Sequence, residues 1–184
     1  MTSTVPDWVS THLEPWGDQL GRDRQAYTNH VIRVLELCDA LHFQHGGTIA
    51  DKPTGRELFL VAGVFHDLGI WTAKTLDYLG PSAKLARDWL RANDRSDLGD
   101  DVSRLIEDHH KITQASAPNS PVEIFRRADF IDASLGLRRF GLPMPVYREI
   151  ARKYPNAGFH KRLLQLAGKR LVTHPAKPAP MFKW

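Results

Sequence analysis

The stretch Thr54-Gly-Arg-Glu-Leu-Phe-Leu-Val-Ala-Gly-Val-Phe-His66-Asp67-Leu-Gly69 decides how the rest of the chain is read. Leu58 to Phe65 is an apolar run of the kind a buried element carries. Thr54 and Glu57 have the spacing of a capping box, and Gly69 sits where a glycine that ends a helix belongs. The spacing therefore predicts a buried helix with His66 and Asp67 in its last turn. Free carbonyls and the negative end of the helix dipole favour a cation there, and adjacent side chains can converge as the helix unwinds. A helix interior would splay the same two residues by roughly 100°.

Two further candidates lie on either side. His30 stands beside an apolar stripe of Tyr27, Val31, Leu35, Cys38 and Leu41 that recurs at helical spacing. Asp129 follows Arg126-Arg127-Ala128, on a segment whose helical positions include Val122, Phe125 and Asp132. Histidine nitrogen and carboxylate oxygen together suit a borderline divalent ion, and two of each leave it near neutral. A six-coordinate ion held by four such groups keeps about two positions for water and a substrate oxygen. A plainer reading exists for each residue. A lone histidine on an apolar face usually donates to a backbone carbonyl. Asp129 could pair with Arg126 or Arg127, and Asp132 competes with it as a ligand.

The remaining pattern is helical. A loop, His45 to Pro53, interrupts it before the His-Asp segment. Pro81 is expected to open a helix running to about Asn93, with Leu85, Trp89 and Leu90 inward. Val102, Leu105, Ile106, His109 and His110 mark another inward stripe. Pro118 to Pro121 form a turn, with Ser120 as N-cap and Pro121 at the first helical position. Segments from about Pro145 to Lys153 and Phe159 to Val172 close the bundle. The expected fold is all-α: a single-domain helical bundle with a metal site between helices. It comprises a loose N-terminal extension over 1–20 containing Trp8 and Trp16, the domain itself over 21–174 and a Pro- and Lys-rich tail over 175–184.

A chain of 184 residues can bury a substantial single core. It contains no apolar run of about 18 residues, and its start lacks the pattern of a signal peptide. Cys38, the single cysteine, cannot form an internal disulfide. These features give the expectation of a cytoplasmic protein with a reduced, buried thiol and no membrane partner. The net charge of +4, concentrated after Arg126, would attract phosphorylated substrates. It would suit nucleic acid too, but no recognised reader motif accompanies it. Oligomeric state is left open, a homodimer included.

The ordered set of a helical His30, the pair His66-Asp67 and the distant Asp129 resembles the HD-domain superfamily of metal-dependent phosphohydrolases. The resemblance runs from about Tyr27 to about Leu137, and His30-Val-Ile-Arg33-Val34 is similar to the family's first motif. It implies His30, His66, Asp67 and Asp129 as ligands of one divalent ion, with manganese, cobalt, magnesium, zinc and iron not distinguished. It also implies hydrolysis of a nucleotide or another small phosphorylated metabolite by a metal-activated water. Multi-metal members carry further histidines before the final aspartate. Here none stands between His66 and His109, which argues against a full two-metal site. Ile70 occupies the place of a lysine found in many signalling relatives, and the Glu-Asp pair of guanosine-tetraphosphate hydrolases is missing.

Asp67, His109 and His110 are the candidate catalytic groups, with one of the two histidines touching substrate or moving a proton. Arg33, Lys74 and Lys111 lie near the metal motifs and are candidates for holding phosphate, although each also reads as an ordinary surface charge. Two other classes compete. One is a metalloenzyme of the same fold that hydrates small nitriles or acts as an iron oxygenase. The other is a metal-stabilised module that binds without turnover.

Overall fold

The computed structural model describes residues 4–173 and 180–181, and most of the assigned tail lies outside them. In chain order the helices are α1 (Val5–Leu13), α2 (Gly17–Leu20), α3 (Arg24–Gln44), α4 (Glu57–Phe65), α5 (Gly69–Thr72), α6 (Leu79–Ala92), α7 (Gly99–Asp108), α8 (Pro121–Ala133), α9 (Met144–Lys153) and α10 (Phe159–Thr173). No β-strand occurs among the described residues, and the fold is all-α. The long α3 is the axis. It packs along α8 and touches α1, α4 and α9, while α6 pairs with α7 and α7 bridges to α4 and α8.

The apolar periodicity of α3 explains this central place. Tyr27, Val31, Val34, Leu35, Leu37, Cys38 and Leu41 are buried around much of its circumference, as a helix surrounded by others requires. Each large aliphatic or aromatic side chain so buried contributes roughly 1.5–3 kcal/mol against exposure. In α8, Ser120 caps the N-terminus by accepting from the Glu123 amide, with Pro121 in the first turn, as its spacing predicts.

Four local expectations are corrected. Residues 5–13 are helical: the Thr4 side chain caps them and Pro6 fits the first turn, so Val9 and Leu13 enter the core. Thr54 does not cap α4. Its hydroxyl and amide both donate to Asp39 on α3, at 2.5 and 2.8 Å, tying the loop down, and Arg56 takes the cap position without a side-chain bond. A capping box forms instead at Thr48 and Asp51. α6 begins at Leu79, two residues before Pro81, which the first turn accepts because its amides lack intrahelical partners.

Gly69 does not end α4. His66 is the C-cap, and Gly69 opens the short α5. A methyl there would lie 2.6 Å from the Tyr78 carbonyl oxygen and 2.8 Å from Ser82 Oγ, so glycine is needed for close approach to α6. The Gly69 amide donates to Ser82 Oγ at 2.9 Å. Gly63 similarly lets α4 settle on Leu35 of α3, where a Cβ would meet that side chain at 3.0 Å. Gly69→Ala is expected to cost about 1–3 kcal/mol through overpacking. Gly80, in the first turn of α6 with open space around its Cα, should gain up to about 1 kcal/mol on substitution by alanine. Urea unfolding of both variants checks the pair, and an unchanged midpoint for Gly69→Ala would refute the close-approach argument.

Candidate metal centre

His30 and Asp129 project from the packed faces of α3 and α8, and His66 and Asp67 from the turn that ends α4. All four are at least 97% buried. His30 Nε2 lies 3.0 Å from His66 Nε2, 3.7 Å from Asp67 Oδ2 and 3.5 Å from Asp129 Oδ1. His66 Nε2 lies 3.7 Å from the same two carboxylate oxygens. The four groups meet at one point, as the ligand reading requires.

The other ring nitrogens fix which atoms face that point. His30 Nδ1 is bonded to Asp132 Oδ2 at 2.7 Å, His66 Nδ1 to the Gly63 carbonyl at 2.7 Å and His109 Nδ1 to the Ile106 carbonyl at 2.6 Å. These oxygens only accept, so each Nδ1 carries a proton and a neutral ring presents a lone pair on Nε2. Lone pairs then face one another across 3.0 Å and face carboxylates. His109 Nε2 and Asp67 Oδ1, 3.4 Å apart, are both buried without a hydrogen-bond partner. Such an arrangement is repulsive unless a cation sits within it.

The residues fit a divalent ion. Ligand bonds of about 2.0–2.2 Å put neighbouring ligand atoms about 2.8–3.6 Å apart, close to the spacings observed. Asp67 and Asp129 are held below the usual carboxylate range: burial opposes this, but the facing histidines outweigh it. Burial alone would lower the His66 imidazole, yet the charge of Asp67 and the bond and charge of Asp129 raise it to about 9. In the metal-free protein, a proton on His66 therefore takes the cation's place.

Behind these groups lies a second layer. Asp132 is not a ligand. It faces the far side of His30 and accepts from Arg33 Nε at 2.6 Å and Nη2 at 2.8 Å. Arg33 Nη1 donates to the Tyr154 carbonyl at 2.9 Å, so Arg33 is only 2% exposed and its guanidinium is spent. That corrects its assignment to phosphate. Tyr27, which the ligand reasoning passed over, donates its hydroxyl to the Val64 carbonyl at 2.9 Å and receives the Asp67 amide at 3.3 Å. It thereby holds the turn in which His66 and Asp67 converge. Its position three residues before His30 was the available signal.

The two adjacent histidines divide. His109 faces Asp67 inside the cluster, and groups able to hold a metal include His66-His109-Asp129 as well as His30-His66-Asp67. His110 reaches the edge of a cavity of about 230 Å³ beside the centre. Its Nε2 lies 2.5 Å from the Tyr78 hydroxyl and its Nδ1 3.8 Å from Asp129 Oδ2. Burial and then the neighbouring His109 push the His110 imidazole down to about 3, so it is neutral at working pH. Lys74 and Lys111 do not line the cavity. Lys74 is exposed on a left-handed backbone turn, and Lys111 lies 3.8 Å from Asp108.

A buried His₂Asp₂ cluster on an all-helical scaffold defines a helical domain with a site able to hold a metal ion. Comparison with known families matches the HD domain over residues 27–134, more than half of the chain, and the protein belongs to that family. This is a superfamily of metal-dependent hydrolases. No curated protein and no solved structure matches the chain. No described helix is long and apolar enough to cross a membrane.

The raised His66 value sets a pH dependence. Because its folded pKa exceeds the ordinary 6.5, its contribution to the stability of the metal-free protein is complete below 6.5 and is lost as pH rises through about 9. The urea midpoint of metal-free protein should fall across that window, whereas metal-loaded protein should not respond. Metal uptake at about pH 8 should release a proton, read by calorimetry in buffers of different ionisation enthalpy. Absence of proton release would contradict the assignment. Asp132→Asn, with folding checked by circular dichroism, should weaken metal affinity by about 10–100-fold because His30 loses its anionic orienting partner.

Proposed function

We propose that this protein is a metal-dependent phosphohydrolase acting on a small phosphorylated metabolite. One observation carries the reading: three imidazole Nε2 atoms and two carboxylates converge beside a partly open cavity, which His30, Asp67 and Asp129 line at that end and which is large enough for a small substrate. Bound by His30, His66, Asp67 and Asp129, a divalent ion supplies an acidified water and neutralises phosphoryl oxygens. In this reading Asp67 Oδ1, which is buried without a hydrogen-bond partner, accepts the proton of an attacking water. His110, neutral at the cavity edge, hydrogen-bonds a non-bridging oxygen or passes the proton outward. With Arg33 committed to Asp132, no strong phosphate clamp comes from that side chain, and the anion is balanced at the metal cluster itself.

A second reading draws on the cavity wall, where Ile70, Leu76 and Leu163 are apolar. It is hydration of a small neutral electrophile such as a nitrile at the same centre. Elemental analysis of the protein and of His66→Ala and Asp67→Ala, followed by phosphate and amide release assays with manganese, cobalt, magnesium, zinc and iron, separates the two. About one equivalent of metal, lost in folded variants, with phosphate release falling at least about 100-fold, is the expected outcome. Amide formation from nitriles without phosphate release favours the second reading. Failure of the wild type to take up any of these metals would sink both.

A further inference from the structure

The cavity beside the metal cluster has one polar end and otherwise apolar walls. Asp67, Asp129, His30 and His110 occupy the polar end with the Tyr78 hydroxyl beside them. Ile70, Leu76, Phe159, Leu163, Ala167 and Met181 make up most of the remaining lining. Phe159, 1% exposed, stacks on the His30 ring with centroids 4.0 Å apart and planes at 15°, so the floor next to the ligands is a fixed apolar surface. The volume is about 230 Å³. An apolar cavity of about 150 Å³ admits benzene, whereas sites for drug-sized ligands begin near roughly 300 Å³. The space therefore suits a phenyl-sized or short alkyl group together with its reacting head.

A sugar in the same place would set hydroxyls against Ile70, Leu76 and Leu163, which offer no hydrogen bond. Each buried, unpaired hydroxyl costs roughly tenfold or more in affinity. We propose that the substrate is a monoester whose organic group is small and apolar, aryl or short alkyl, with Leu163 and Ala167 of α10 selecting it. This rests on the hydrolase reading above and narrows it away from nucleotides. In the reaction, the water oxygen bonds to phosphorus and the bond from phosphorus to the ester oxygen breaks. The leaving oxygen takes a proton, releasing an apolar alcohol and inorganic phosphate.

The test is calorimetric titration of the metal-loaded full chain with phenylphosphonate, methylphosphonate and benzamide. Leu163→Asn and Ala167→Phe, at half-buried and exposed positions, are titrated alongside, with folding checked by circular dichroism. Phenylphosphonate should bind at least about tenfold tighter than methylphosphonate. Each variant should cut that ratio below about threefold while metal content and methylphosphonate binding stay unchanged. Equal affinity for the two phosphonates overturns the proposal. If neither phosphonate binds but benzamide does, and Ala167→Phe abolishes it, the apolar selection stands and the phosphoester reading falls. If none of the three binds, the proposal falls.

Discussion

Three imidazoles with their Nδ1 protons already committed turn unprotonated nitrogens toward two carboxylates in the middle of a helical core. That constraint organises the molecule. The His30 and His66 nitrogens are 3.0 Å apart, too close for a water between them, so electrostatics demands a positive charge there. The helices serve the requirement in distinct ways. α3 supplies a ligand and the arginine behind it, α4 ends in the turn that brings two adjacent side chains together, and α8 returns an aspartate from about a hundred residues later. Close glycine contacts at Gly63 and Gly69 permit the approach.

The electrostatics of the site are local and owe little to the net charge of +4. The arginine closest to the ligands is neutralised by Asp132, and the two lysines near the motifs lie outside the cavity. Another basic group, Arg126 and Arg127, is tied to Glu123 and lies over the Phe140 ring. Positive charge counted along a sequence therefore says little about where an anion would bind in this fold. The cavity is balanced by its ligands, and its remaining wall is hydrocarbon.

Much of the fold was legible because apolar residues recur at helical spacing in α3, α7 and α8. The ligand types were legible because histidine and aspartate on apolar faces need a reason to be there. The partners behind them were not. Nothing in Asp132 alone distinguishes a ligand from the acceptor that orients His30; the decision depends on packing between helices a hundred residues apart. His109 and His110 resisted for another reason. α7 ends at Asp108, and beyond it the two rings lie against each other with centroids 4.0 Å apart, His109 facing Asp67 in the cluster and His110 facing Tyr78 at the cavity. Gly69 matched the pattern of a helix end, yet its place is fixed by the Tyr78 carbonyl, a contact no local spacing reveals.

His30 also has consequences for the order in which the site is built during synthesis. Its ring is aligned by Asp132 on one edge and covered by Phe159 on one face, and Arg33 is latched to the carbonyl of Tyr154. A nascent chain that has emerged only as far as α5 holds His30, His66 and Asp67 but none of these supports. Metal capture by the finished geometry is thus a late event in biogenesis, governed by the arrival of α8 and the start of α10.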